Sequence, residues 1–290
     1  MLNMSDQLRR LQFVQLEILK VIDRICREND IRYSLYAGTL LGAVRHQGFI
    51  PWDDDLDVCM ERSEYNRFLA AWERIKPEGY LLQNKDNAAR FTQSFTKIRK
   101  DHTTFLQDES EACAYHTGIF VDVFPIDRMP SGRFRRVLFT WDCARYQLFC
   151  REFVPPKGRM AEKILASALL FFSNEQTRKK KREKILGRIC QDQDHTHSTV
   201  AIETLGTIRT PLPPELFDAY TELPFEDGSF LCFSCWELYL KCKYGDYRKL
   251  PPESERTWKH HPLILDFELN YEELPAERRV AGKLSDVKAD

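Results

Sequence analysis

No run of apolar residues in this chain reaches the ~18–20 needed for a membrane-spanning helix. The longest, "ILASALLFF" at 164–172, is about half that length. The N-terminus lacks the basic-then-apolar pattern of a secretory leader. Excess charge of one sign is also missing: the net charge is −1, so nothing draws the whole chain to nucleic acid. Internal repeats and a Gly- or Ser-rich linker are absent as well. The nine cysteines are odd in number and scattered, which fits a reduced cytoplasmic compartment better than a disulfide framework. Cys232 and Cys235 form a C-x-x-C beside Cys242, but no second pair completes a zinc set, so buried thiols are the expectation.

What remains is a soluble globular composition, 43% hydrophobic and 30% charged, in 290 residues, enough for one large core. Helical spacing of Leu8, Leu11, Gln15, Ile18, Ile22 and Ile25 predicts an amphipathic helix over 5–28. "IRYSLYAG", 31–38, reads as a short strand and "GTLLGAVRHQG", 38–48, as a short helix entered directly from it. "LDVCM", 56–60, reads as a buried strand. Ser63 is placed to cap a helix over 64–75. "FTQSFTKIRK", 91–100, and "GIFVDVFPID", 118–127, are further strands, the first with Lys97 and Arg99 on one face. From 132 to about 190 the pattern is helical. A hairpin over 222–233, a helix stopped at Gly245 and a polar tail from about 272 follow. "RKKKREK", 178–184, lies close behind the apolar run; such a pair is more often a core helix followed by a solvated basic helix, and the alternative is peripheral contact of 164–184 with a membrane's inner face.

The densest chemistry lies in "GFIPWDDDLDVCM", 48–60, where Asp53, Asp54, Asp55 and Asp57 crowd five positions. Strand side chains at i and i+2 share a face, so Asp55 and Asp57 point together while Leu56 and Val58 enter the core. Two carboxylates on one face repel unless a cation stands between them. Asp122, alone inside "IFVDVF", is costly to bury unless paired or metal-bound. If its strand neighbours "LDVCM", Asp55, Asp57 and Asp122 can hold Mg²⁺, with Mn²⁺ as a substitute, and leave positions open for phosphate. A calcium loop beginning at Asp53 is rejected because Val58 stands where that loop needs glycine. A solvated acidic turn suits two acids better than four. Gly38 and Thr39 open a helix whose start favours a phosphate, and Arg45, His46 and Lys97 are candidate positive contacts. Asp53 and Asp54 remain on the turn, available to orient substrate or accept a proton. His260 and His261 either touch substrate or clasp the tail. Trp52, Tyr36, Tyr115 and Trp236 are candidates for an aromatic cage around a quaternary ammonium.

"YSLYAGTLLGAVRHQGFIPWDDDLDVCM", continued in "GIFVDVFPID" and in "YGDYRKLPPESERTWKHH" at 244–261, closely resembles the signature of the LicD family. The resemblance spans roughly 30–261, with Cys59 and Trp258 as mild departures that touch no candidate ligand. It implies an α+β fold with an α/β-type core: a nucleotidyltransferase-like mixed sheet with flanking helices, a helical C-terminal half, and kinship to fukutin-related proteins. A single catalytic domain over 1–271 is expected, with core 30–130, helical part 131–205, closing part 206–271, and a tail, 272–290, without order. The implied activity is transfer of phosphocholine from CDP-choline, or of another phospho-alcohol from a CDP-linked donor, to a hydroxyl of a cell-surface or lipid-linked glycan. CMP leaves, and the setting is lipopolysaccharide or teichoic acid decoration. In that family pattern the roles fall on Gly38–Thr39, Asp55, Asp57 and Asp122. The alternatives are transfer of NMP from an NTP to a small acceptor, and a non-catalytic scaffold of the same fold.

Overall fold

The computed structural model describes residues 4–88, 91–108, 115–151, 160–190, 199–201 and 211–279. Helix α1, Met4–Glu28, buries the stripe read from its periodicity, and Gln15 is buried with the apolar members. Strand β1, Ser34–Leu35, leads into α2, Ala37–His46, and β2, Asp57–Glu61, into α3, Arg62–Ile75. Then come β3, Tyr80–Gln83, β4, Thr96–Lys100, β5, Thr104–Leu106, and the long β6, Phe120–Arg128. With β7, Thr199–Ala201, six of these strands form a mixed sheet in the order β1-β2-β6-β4-β3, β7 pairing with the far end of β6. Among the described strands of this sheet only β2 and β6 run parallel. The fold is α+β, as expected.

Two local expectations are corrected. Helix α3 begins at Arg62, so Ser63 lies inside it and caps nothing. The strand runs straight into the helix because buried ion pairs hold both junction residues. Glu61 binds Arg128, and Arg62 donates to Asp127 at 2.9 and 2.7 Å. The strand expected over 91–100 contracts to Thr96–Lys100, while Phe91 and Phe95 are buried from the loop before it.

The helical stretch comprises α4, Arg133–Cys150, α5, Met160–Phe172, and α6, Glu175–Ile189, the last capped by the Asn174 side chain. Phe139, Cys143, Phe149, Ile185 and Ile189 form its own small core, separate from the main one. The hairpin is β8, Tyr220–Phe225, with β9, Gly228–Phe233, and α7, Trp236–Tyr244, ends at Gly245, whose φ is +66°. Cys232 is buried and Cys242 exposed, and among the described residues no cysteine joins a metal-ligating group of three. Strand β10, Ile264–Asp266, returns to pair with β5. The tail also departs from expectation. Through Arg279 it is built: Leu274 is buried with Leu106 and Tyr271, and Arg278 pairs with Asp266 at 2.7 Å. Residues 280–290 lie outside the described residues. Among the described residues no helix is long and apolar enough to cross a membrane.

Candidate active site

Sheet register builds the centre of the site. Asp57 on β2 faces Asp122 on β6, and Asp122 faces Lys97 on β4, so three charged side chains form one row across three strands. The Lys97 ammonium donates to both Asp122 oxygens, at 2.7 and 3.1 Å, and lies 3.3 Å from the centre of the Phe120 ring. Burial raises the Asp122 pKa, and the nearby Lys97 charge only partly offsets this. Asp57 keeps some solvent contact. Even so, the protein packed around it pushes its pKa well up, and the charges of Asp55 and Asp122 add to that. Asp55 acts on Asp53, Asp57 and Asp122 alike, which places it at the electrostatic centre of the cluster.

The helix start packs against this row. The Thr39 hydroxyl accepts the Asp57 N–H at 2.8 Å, tying α2 to β2. The Tyr239 hydroxyl accepts the Ala37 N–H at 3.1 Å, and the Asp57 carbonyl accepts the Tyr36 N–H at 3.0 Å. Gly38 has a steric role: a Cβ there would lie 2.6 Å from an oxygen of Asp53. Gly42 likewise lets the Gly48 carbonyl approach, where a Cβ would meet it at 2.5 Å.

Asp53 and Asp54 are not the available turn residues that the sequence suggested. Both are buried. Asp54 accepts the His260 backbone N–H at 2.8 Å and lies 3.2 Å from its ring Nδ1. Burial alone would raise the Asp54 pKa, but those bonds outweigh it and the pKa is lowered, while the same partnership raises that of His260. Asp53 has one cation close by, Lys259 Nζ at 3.5 Å. Burial and the charge of Asp55 push its pKa up to about 7. Asp54, Asp55 and His260 are the one group of three among the described residues whose ligand atoms all lie within 4.8 Å of one another. Asp55, Asp57 and Asp122 share a field without gathering that closely.

The remaining candidates divide. Arg45 donates to His46 Nε2 at 3.0 Å and to the Tyr247 carbonyl at 3.3 Å, and it feels the charge of Asp53. His46 stands edge-on to Trp52, and the Arg256 guanidinium lies over the same indole. His260 reaches the acids, whereas His261 stacks on Trp258. The four cage candidates do not converge. Tyr36 packs on Phe124 and Tyr239, Tyr115 on Phe91, and no ring contact joins the four among the described residues.

Several members of the site went unread in the sequence. Gln12 donates to the Asp53 carbonyl and Gln15 to the Asp54 carbonyl, both at 2.9 Å, so α1 holds the acidic turn from behind. A glutamine on an apolar stripe was the available signal. Lys243 and Tyr244, at the end of α7, lie in the field of Asp57 and Asp55. The Lys243 ammonium is 4.6 Å from the centre of the Tyr36 ring. Burial lowers its pKa, and the charge of Asp57 partly offsets this. Only the fold brings these two residues to the acids.

A family model described as "LicD/FKTN/FKRP, nucleotidyltransferase domain" matches residues 30–161. The chain is 30% identical over 264 residues to the lipopolysaccharide cholinephosphotransferase LicD of Haemophilus influenzae, covering 88% of this chain and 96% of that protein. Uncharacterised proteins of Rickettsia typhi and Rickettsia prowazekii match shorter segments. The identities are 38% over 68 residues, 23% of this chain and 22% of the first, and 52% over 42 residues, 14% of this chain and 16% of the second. An identity of 30% that runs over nearly the full length of both chains settles the kinship: the chain belongs to the LicD family.

Proposed function

We propose that this protein transfers phosphocholine, or a related phospho-alcohol, from a CDP-linked donor to a hydroxyl of a cell-surface glycan, with CMP leaving. The observation that carries this reading is the in-register row of Asp57, Asp122 and Lys97, with Asp55 acting on both acids. The relative in Haemophilus influenzae is named for cholinephosphate transfer in lipopolysaccharide, which supports the same reaction class.

Two carboxylates opposite each other on adjacent strands, with Asp55 raising the pKa of both, are a donor set suited to a hard divalent cation, Mg²⁺ first and Mn²⁺ as a substitute. Asp55, Asp57 and Asp122 would hold it, and it would neutralise charge on the donor diphosphate during in-line displacement. The chain's own groups do the rest. Lys97 favours the ionised form of Asp122. Arg45 and Lys243 present positive charge to the donor phosphates. Gly38 leaves room for Asp53, and Thr39 fixes β2 against α2. Asp54 is held by His260, Asp122 by Lys97, and Asp53 lies 3.5 Å from Lys259, so the proton of the acceptor hydroxyl would pass to one of these three carboxylates. Positioning and electrostatics carry most of the catalysis.

The test is product analysis with purified protein, a panel of CDP-linked donors, Mg²⁺ and a glycan acceptor. CMP release coupled to modified glycan is expected. Pyrophosphate released from a nucleoside triphosphate would instead establish nucleotidyl transfer, and no turnover of any donor by folded protein would establish a scaffold.

A further inference from the structure

Helices α4 and α5 leave apolar stripes facing outward. On α4, Phe134, Val137, Leu138 and Trp141 follow i, i+3, i+4, i+7 spacing and are all exposed, Trp141 by 65%. On α5, Met160, Ile164, Leu165, Phe171 and Phe172 are exposed, Phe171 by 84%. These two helices carry nine of the sixteen large hydrophobic side chains exposed among the described residues. Leu138 and Trp141 form a ridge shared by two contiguous grooves, of about 730 and about 500 Å³. Lys181 and Lys184 of α6 border the larger groove.

Charge selects the occupant. The larger groove is lined by five basic side chains, Arg135, Arg145, Lys181, Lys184 and Arg188, against one acid, Asp142. A second copy docking by the same face would press two strongly positive surfaces together, whereas an anionic surface would be attracted. Aromatic and aliphatic side chains beside lysines are what a helix needs to lie in the headgroup region of a bilayer. We propose that the exposed stripe of α4, with the groove it shares with α6, is a docking surface for an anionic lipid bilayer, joined by the exposed apolar side chains of α5. It enlarges the alternative contact read over 164–184 by adding the α4 stripe. The surface is independent of the acidic site and does not rest on the reaction proposed for it.

The experiment is flotation of the full chain with vesicles of equal parts phosphatidylglycerol and phosphatidylcholine, compared with phosphatidylcholine alone. Binding to the anionic vesicles that weakens with added salt is expected. Lys181→Glu with Lys184→Glu should reduce it roughly tenfold or more. Phe134→Ser with Trp141→Ser should do the same, with the melting temperature unchanged because these side chains are exposed. Failure to bind anionic vesicles would overturn the proposal. So would binding that survives both double variants, or concentration-dependent dimerisation that the Phe134/Trp141 variant abolishes.

Discussion

Asp57 and Asp122 stand opposite each other on the two parallel strands of the sheet, separated by 65 positions in the chain and brought together by register. Asp122 raises the cost of ionising Asp57, Asp55 raises that of both, and the Lys97 ammonium donates to Asp122.

Asp57→Asn should lower transfer by roughly 10²–10³-fold. The fold should survive. The wild-type Asp57 pKa is raised in the folded state, so its ionised form opposes folding once pH rises above the ordinary carboxylate range. Near neutral pH and without metal, the variant should therefore melt no lower than wild type in a thermal scan. Added Mg²⁺ should raise the wild-type melting temperature more than the variant's. Full activity in a folded variant sinks the ligand assignment.

Lys97→Met strands the buried Asp122 without its partner. The expected cost is about 3–5 kcal/mol by denaturant unfolding. Lys97→Met combined with Asp122→Asn should recover much of that loss, since no unpaired charge remains. Additive losses in the double variant would show that the two side chains do not act as a pair.

The His260 clasp makes a prediction about pH. His260 has a raised pKa in the folded state, so its contribution is fully present below about 6.5 and fades as pH rises through the folded value. Asp54 has a lowered pKa, so its share is complete above about 3.8 and fades as pH falls through its folded value. The melting-temperature loss of His260→Ala should thus be greatest in mildly acidic buffer and shrink in alkaline buffer. A loss independent of pH contradicts a charged clasp.

Gly38→Ala should cost about 1–3 kcal/mol, because its methyl group meets the buried Asp53 carboxylate. Asp53→Ala in the same chain removes the obstacle and should restore most of the stability in a thermal scan. If the glycine matters only for helix entry, the second substitution restores nothing.

Much of the site's local layout was legible from spacing. The alternation around Leu56 and Val58 placed Asp57 on the outer face of a strand, and the acid inside "IFVDVF" marked Asp122 as needing a partner. The same reading misjudged Asp54, because a turn rich in charge resembles a solvated one until the segment that covers it is known. It also misplaced the start of α3, where buried pairs to Asp127 and Arg128 override the preference of Ser63 for a cap.

By itself the sequence determined the helical and strand periods, the side of each strand that carries acid, and the family signature, since all of these depend on residues close together in the chain. Tertiary structure alone decided which cation meets which acid. Lys97 faces Asp122 through antiparallel register, His260 and Lys259 reach Asp54 and Asp53 from more than 200 positions away, and α1 grips the acidic turn through Gln12 and Gln15. Such pairings follow from sheet register and core packing, which bring distant segments together and leave no period in the sequence to read.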